Sequence, residues 1–532
     1  RLTVQRNSGT IGAVGIAQSV TDSAGRVTRI EYNGALISRL TDTSGRTLNF
    51  SYDSQSRLTQ VSDPLGNLTQ YAWDSNNRIT QKTDALGAVT QYEYDGNGRA
   101  LKERFADGSS YSFAYTVAGN QVMETRITNP RGYLEVQRYN GQRYWTRDVD
   151  NNGNVRTRKL DVATQHPLIE TDALGRTWYF TYDGAANVTS IRDPQGNLTQ
   201  YRYDPLFNKL TEVIDAQGNR TRYAYDGKGS LVATTNANGA ITQYTYTDKG
   251  VLATTTNALG NTTTFEHDSE GKIIAAIDPL GRRSEKTYDN LGRIDSLTTP
   301  RGETTKLAFD ALDRLSQLTD PQGGTTQYTY DAKSHLISVT DPLGHELQRN
   351  TYDLRGRLSA RRDALGASSS AQYDANGNLT QSTDRRGKVT RYTYDANDCL
   401  SRLEDGDGRT TDYQYDPVGR LTRIADSQSG DILLQYGILN SPTRIISDQG
   451  TLDYQYDLFG RRTQMTVNGA DTVDYSYDVL NRLVKTTFRG KDASYSYDAA
   501  GRLTQKTLPN GTKQSYAFDA AAFFWRCAKS VP

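Results

Sequence analysis

Asp148, Asp150, Asn152 and Gly153 match the opening of a calcium loop, where closely spaced oxygens wrap a hard cation. A calcium site is one reading of them and a hairpin turn the other. Lys159 stands where the bidentate Glu should be, which favours the turn. Glu404-Asp405-Gly406-Asp407 lacks the glycine at the required place and is a weaker match. The histidines, His166, His267, His335 and His345, are scattered, and no pair has metal-ligand spacing. Cys399 and Cys527 cannot build a disulfide framework. No Ser-His-Asp order, phosphate loop or isolated carboxylate pair stands out. The residues therefore predict no catalytic site, no cofactor and no metal beyond the weak calcium candidate.

The carboxylates belong instead to a repeat. A Tyr-Asp pair or a near variant returns along the chain: Tyr52-Asp53, Trp73-Asp74, Tyr94-Asp95, Tyr203-Asp204, His267-Asp268, Tyr288-Asp289, Phe309-Asp310, Tyr330-Asp331, Tyr394-Asp395 and Tyr415-Asp416 are examples. From Tyr32 to Phe518 the mean step is about 21 residues, and such a fixed period is the mark of a repeat architecture. Between about residues 116 and 176 the copies are degenerate, as at Tyr139-Asn140 and Leu160-Asp161.

A second landmark alternates with the first. Asp63-Pro64-Leu65-Gly66, Asp278-Pro279-Leu280-Gly281 and Asp341-Pro342-Leu343-Gly344 carry turn chemistry: Pro fixes φ at a first corner and Gly accepts φ above zero. Gly-Arg-Leu steps, as at Gly356-Arg357-Leu358 and Gly419-Arg420-Leu421, follow many Tyr-Asp pairs. Two turn signals per unit predict one β-hairpin per repeat. Between them, residues alternate as strand residues do: Thr199, Tyr201 and Tyr203 point one way, Gln200 and Arg202 the other. Tyrosine rows of this kind can pack as cross-strand ladders or bind sugars. Their constant place in every repeat favours packing.

Composition suits an unusual β protein. Hydrophobic residues are 35% with 35 tyrosines counted, low for an ordinary domain, and this predicts a sheet that is wet on at least one face. With 62 Lys and Arg against 61 Asp and Glu, the net charge of +1 gives no basic field, so nucleic-acid binding is not expected. No transmembrane run or signal peptide is present in the sequence. Geometry limits the shape. Some 24 hairpin slots predict about 48 strands and a ribbon roughly 230 Å long. Accumulated twist forces such a ribbon to curl. A rod needs an apolar centre that the repeats do not supply, whereas a spiral shell can keep a wet lumen.

The Tyr-Asp period, the Gly-Arg-Leu step and the Asp-Pro-Leu-Gly turns resemble the YD-repeat family of Rhs proteins, related to the C components of Tc toxins and, more distantly, to teneurins. The likeness covers about Asp22 to Asp519. It implies an all-β fold of tandem hairpins in a long antiparallel sheet, spiralled into a hollow cocoon. It also implies a non-catalytic shell, in bacteria secreted or at the cell surface. Such a shell encloses a C-terminal toxin, and its further partners are secretion-system components, of the type VI system among others, and an immunity protein. An adhesion module that binds glycans or a partner protein is the alternative. On this basis residues 1–21 are an incomplete lead-in, 22–519 the repeat shell and 520–532 an aberrant or truncated tail without the toxin. Family members cleave themselves at an Asp-Pro-x-Gly junction. The runs at Asp63, Asp278 and Asp341 share its letters but recur within the repeat and read as turns.

Overall fold

The computed structural model describes residues 3–6, 17–521 and 524–530, the first and last of these as strand backbone. Of the lead-in and tail, residues 1–2, 7–16, 522–523 and 531–532 lie outside the described residues, as does the Cys527 side chain.

Fifty strands form one antiparallel sheet, and among the described residues there is no helix. Each strand backbone approaches only its neighbours in the chain. The lead-in supplies two strands beyond the repeat slots, Thr3–Arg6 and Ala17–Thr21. The tail, whose sequence matches no repeat, still supplies Phe524–Ser530 as the partner of Lys513–Phe518. The degenerate stretch stays in the ladder, with Trp145–Val149, Val155–Leu160 and Pro167–Thr171 paired in order.

Both turns of a repeat are built alike. Asp63 N–H donates to the Asn67 carbonyl and Gly66 N–H to the Asp63 carbonyl, with Gly66 at φ 82°. Asp53 and Arg57 pair in the same way around Ser56 at φ 65°. These are short hairpin loops ending in a left-handed residue, which an Asp start and a Gly end favour. The Asp carboxylate fixes the loop further: Asp63 Oδ1 accepts the N–H groups of Leu65 and Asn67, each at 2.9 Å.

The two hairpins differ in register. Around Asp63 the pairs run without a slip, Gln60 with Gln70 and Val61 with Thr69. At Tyr52 the register jumps, so that Ser51 faces Gln60 while Tyr52 faces Leu58. Tyr330 repeats the jump. Thus a β-bulge recurs on the Tyr-Asp side, and bulges bend a strand and raise its twist. This repeated bend is a local reason for the ribbon to curl.

The ribbon curls without burying a core. Ile214, Ala275 and Ala493 are the buried hydrophobic side chains among the described residues. Thr199, Tyr201 and Tyr203 are half-buried on one face, while Gln200 and Arg202 are exposed on the other, as the alternation predicts. The accessible surface is 30443 Å². A compact monomer of 59.1 kDa would expose only about 19,000 Å². The excess is what a wall with two solvated faces requires.

Candidate functional site

The site is the wall itself, and in its regular copies three side chains per repeat hold it together. Tyr94 Oη donates to the Ile79 carbonyl of the preceding repeat at 2.8 Å, and Tyr330 Oη does the same to Leu315. Arg78 lies between those repeats. Its Nε donates to Asp74 Oδ2 at 2.7 Å, its Nη1 to the Asp95 carbonyl at 2.7 Å, and its guanidinium stacks 5.1 Å from the Tyr94 ring centre. Arg314 repeats this set with Asp310, Asp331 and Tyr330. Where an arginine follows the turn, a repeat therefore clasps the next through one tyrosine hydroxyl, one arginine fork and one cation–π contact; Asn187, Ser230 and Val251 stand at the arginine's place in other copies. Contacts of these kinds contribute about 0.5–1.5 kcal/mol each.

Electrostatics follow the clasp. Burial raises the pKa of the Asp416 carboxyl, but the N–H groups of Arg420 and Val418 and the Arg420 guanidinium outweigh it and hold the group below its ordinary value. Asp310 and Asp353 sit in the same balance with Arg314 and Arg357. The tyrosine hydroxyls shift the other way, because burial raises Tyr330, Tyr394 and Tyr415.

A second interface joins successive laps of the ribbon. All Tyr-Asp turns lie on one edge and all Asp-x-x-Gly turns on the other. The Asp-x-x-Gly edge of the first lap meets the Tyr-Asp edge of the second. Arg46 Nη1 donates to the Ala311 carbonyl at 3.2 Å and to Asp313 Oδ1 at 2.6 Å. Arg131 Nη1 reaches the Asp395 carbonyl and Asp398 Oδ1, both at 2.7 Å, and its Nη2 reaches the Tyr394 carbonyl at 2.8 Å. Arg176 Nη1 reaches the Ile438 carbonyl at 2.8 Å and Asn440 Oδ1 at 2.6 Å. Between the turn at Asn129 and the turn at Asp395 lie 25 strands. Lys333 bonds Asp84 after 23 strands. At about 4.8 Å per strand a lap is about 115 Å around, with a wall radius of about 18 Å. Half a sheet-packing distance taken off leaves a lumen radius of about 13 Å.

Three of the acceptors in this seam share a trait. Asp313, Asp398 and Asn440 hold the left-handed corner of their turns, at φ 62°, 62° and 72°, where glycine stands in most copies. Each gives its side-chain oxygen to an arginine from the other lap. Ser334 and Asn481, also left-handed, serve Arg314 and Arg461 of their own lap. Sequence reasoning missed the seam entirely. An Asp or Asn in place of glycine at that corner marks an arginine acceptor, but Asn481 shows that it does not tell a contact between laps from one within a lap.

The calcium candidates fall into this framework. Asp148 is a buried strand residue, 3% exposed, ion-paired with Arg156 at 2.5 Å. Asp150 starts a turn, where its Oδ1 accepts the N–H groups of Asn152 and Asn154. Its Oδ2 accepts from Asn397 across the seam, while Asn152 Nδ2 donates to Asp395. Asp150 and Asn152 therefore serve the turn and the seam, away from Asp148. The predicted repeat residues sit as strand-end tyrosines and turn-starting aspartates: Tyr52, Tyr203, Tyr394 and Tyr415 donate to Ile37, Val188, Leu379 and Leu400 carbonyls. Tyr288 donates to Ile273, and Asp289 bonds Arg293. Asp53, Asp95, Asp204, Asp331 and Asp395 accept turn N–H groups. His335 and His345 each bond the Asp four residues earlier. Cys399 is a free, half-buried thiol whose pKa burial raises. A groove of about 650 Å³ beside the degenerate stretch is lined by Arg99, Tyr115, Tyr139 and Arg143, with no carboxylate or histidine in its wall.

Comparison with known proteins agrees with this architecture. The teneurin YD-shell profile matches residues 11–171 and 140–371, and the RHS repeat profile matches 373–400, 397–430 and 497–521. The chain belongs to the teneurin YD-shell family. Crystal structures of TcdB2-TccC3 superimpose on this YD-shell. The one without its hypervariable C-terminal region gives a TM-score of 0.67 at 12% identity, over 100% of this chain and 36% of that one. TcdB2-TccC3-TEV gives 0.66 at 13% identity, over 100% and 37%. A Photorhabdus luminescens Tc holotoxin pore gives 0.57 at 12% identity, over 99% and 35%. The YD-shell thus spans just over one third of the length of those chains. No curated protein matches it.

Proposed function

We propose that this YD-shell is the wall of a capsule that isolates a toxic polypeptide until delivery, with residues 22–519 as the wall. One observation carries the reading: a coreless sheet, solvated on both faces, is closed lap against lap by an arginine seam around a space of protein size. The fold of the Tc structures supports it, one of which is described as lacking a hypervariable C-terminal region. The wall's work is steric, and no residue of it acts on a substrate. The enclosed partner is a C-terminal toxin of the Rhs polymorphic type. Delivery to competing or host cells, through secretion-system components with an immunity protein protecting the producer, belongs to the same proposal and places the shell outside the bacterial cell. No helix of the described residues is long and apolar enough to cross a membrane. The adhesion reading gains no support from the Tyr-Asp tyrosines, since their hydroxyls are held by backbone carbonyls.

The test is protection of cargo. A protease-labile polypeptide of about 50 residues has a radius of gyration near 10 Å when compact and fits the lumen. Fused after Pro532, it should survive trypsin that digests it within minutes when free. Digestion at the free rate by an intact shell would sink the proposal.

A further inference from the structure

The balanced total charge hides a segregated one. A sheet curled to a wall radius of about 18 Å crowds side chains on its concave side and spreads them on its convex side. Thr199, Tyr201 and Tyr203 are half-buried while Gln200 and Arg202 are exposed, and Thr325–Tyr330 and Val389–Tyr394 show the same split. The Gln-Arg face is therefore the outward one. On the twelve strands from Ala100–Arg104 to Arg220–Tyr225 it carries ten cations and two carboxylates. The carboxylates lie underneath. The Glu212 side chain is 8% exposed, and Arg202, Arg220 and Arg222, at 63%, 43% and 60%, share it at 3.0 Å each. Glu124 is covered in the same way by Arg126 and Arg138. The side chains of Lys102, Arg104, Arg147, Lys159 and Arg192 have no hydrogen bond or ion pair with any described residue. Arg147 stands directly opposite Arg138, and facing like charges destabilise a strand pair.

Later strands of the same face arrange their charge differently. Arg391 pairs with Glu404, Arg402 with Asp412, Arg444 with Asp453 and Lys485 with Asp492. The excess is therefore local. It lies on strands and not on turns, and it covers about 58 Å of ribbon, or about half a lap.

We propose that the outward face of residues 100–222 binds a linear acidic polysaccharide, one with sulfate or carboxylate groups on successive sugars. Such groups match the arginine fork, and one of them set between Arg138 and Arg147 would relieve their repulsion. Curvature selects a flexible chain. Half a lap at an outer radius of about 23 Å turns through about 170°, so a flat lipid surface meets it along a single line. A stiff duplex would have to bend far inside its persistence length of about 500 Å to follow it. Single-stranded nucleic acid binds through rows of aromatic rings, and on these strands Tyr179, opposite Arg192, is the one ring on this face. The proposal goes beyond the capsule reading and depends on no cargo.

The test titrates the full chain with heparin as the sulfated probe, hyaluronan as the carboxylated one and uncharged dextran as the control. At about 0.15 M NaCl heparin or hyaluronan should bind and dextran should not. Arg147→Glu with Arg192→Glu should weaken binding about tenfold or more. Lys306→Glu with Arg362→Glu makes the same charge change on the same face outside the patch and should weaken it less than about threefold. Acetylation of the unmutated chain removes any doubt about folding of the variants. Saturating heparin should slow labelling of Lys102 and Lys159 about fivefold or more and leave Lys306 unchanged. No binding of either acidic polysaccharide overturns the proposal. Equal loss in both double variants, or equal protection of Lys306, also overturns it, because attraction would then be general. Poly-glutamate, poly-dT and phosphatidylserine vesicles are run alongside, and tighter binding of any of them gives the face to that partner and overturns the polysaccharide assignment. A failure to protect cargo would leave all these readings unchanged, so the two proposals fail separately.

Discussion

Asp398→Gly separates backbone comfort from seam chemistry. Asp398 sits at φ 62°, a region where glycine is at ease and other residues are strained. Glycine would relieve about 1 kcal/mol of that strain, but it frees the unfolded chain by about 0.4–1 kcal/mol, so the backbone terms nearly cancel. What remains is the loss of three partners. Arg131 Nη1 donates to Asp398 Oδ1 at 2.7 Å, Asn376 Nδ2 at 3.0 Å and Asn378 Nδ2 at 2.6 Å. Charge-assisted bonds contribute about 1.5–3 kcal/mol when protected. Here the Asp398 side chain is 36% exposed, so solvent screening lowers the whole set to about 1–2 kcal/mol. Native-state hydrogen exchange at the turn amides of residues 129–133 and 395–399 reads this directly, and the expected acceleration is about 5–30-fold. Ala186→Gly is the control, since Ala186 has φ 68° and a side chain with nothing to donate or accept. It should change exchange at its own turn by less than about threefold. Arg131→Ala should accelerate the same amides, and the double variant should add little to either single one. If Asp398→Gly behaves like Ala186→Gly, the corner residue is not a seam acceptor in solution and the argument fails.

Other outcomes follow from the same contacts. Tyr330→Phe strands the Leu315 carbonyl and should cost about 1 kcal/mol locally, seen as roughly fivefold faster exchange in the Leu315–Tyr330 hairpin. Gly356→Ala should be worse than Gly66→Ala. Both have φ 82°, but a Cβ at 356 would lie 2.6 Å from His335 Nε2, while at 66 it meets open space, so urea midpoints should rank wild type, then 66, then 356. The pH profile follows from carboxyl pKa values held below their ordinary level at Asp310, Asp353 and Asp416. Depressed folded values mean that their stabilisation is present above about pH 4 and is lost as pH falls through the folded values. Near-ultraviolet circular dichroism should therefore stay flat from pH 8 to about pH 5 and fall only in stronger acid, and loss of signal near neutral pH would contradict the clasp. Raising NaCl from 0.05 to 1 M should speed exchange at the seam turns of Arg46 and Arg131, whose partners Asp313 and Asp398 are charged and partly exposed, more than at the Arg176 turn, whose seam acceptors are neutral.

The repeat was legible because each landmark has a local cause. Gly66 is required by a positive φ, Asp63 by two loop N–H groups, and the Thr199–Tyr203 alternation by a strand with two unlike faces. All of these act within a few residues, so spacing alone exposed them. The tyrosine hydroxyl and the arginine fork were half legible. Their period pointed to ladders, but Tyr94 reaching Ile79 and Arg78 reaching Asp95 join repeats through a bulge whose register no single strand reveals. The seam was not legible, since Arg131 and Asp398 are 267 residues apart and their meeting depends on the number of strands in a lap. Asp150 and Asn152 show the consequence: side chains that suggest a cation loop in sequence are engaged by the next lap, Asp150 Oδ2 accepting from Asn397 and Asn152 Nδ2 donating to Asp395.

The two edges of the ribbon are unlike, and the spiral joins one to the other. An Asp-x-x-Gly edge offers long donors, Arg46, Arg131 and Arg176, that project past the loop. A Tyr-Asp edge offers acceptors, the turn carbonyls and the corner Asp or Asn, beside arginines already tied to their own lap. Donors also run the other way, since Lys333, Arg357 and Asn397 of the Tyr-Asp edge meet Asp84, Asp107 and Asp150 of the Asp-x-x-Gly edge. In both directions the contacts join an Asp-x-x-Gly edge to a Tyr-Asp edge, as they do when every lap runs in the same direction as the one before it. A closed ring would use up neither edge. A spiral uses one of each per lap and carries one of each forward, so its length is set by the number of repeats and its radius by the bulge-driven curl of each hairpin.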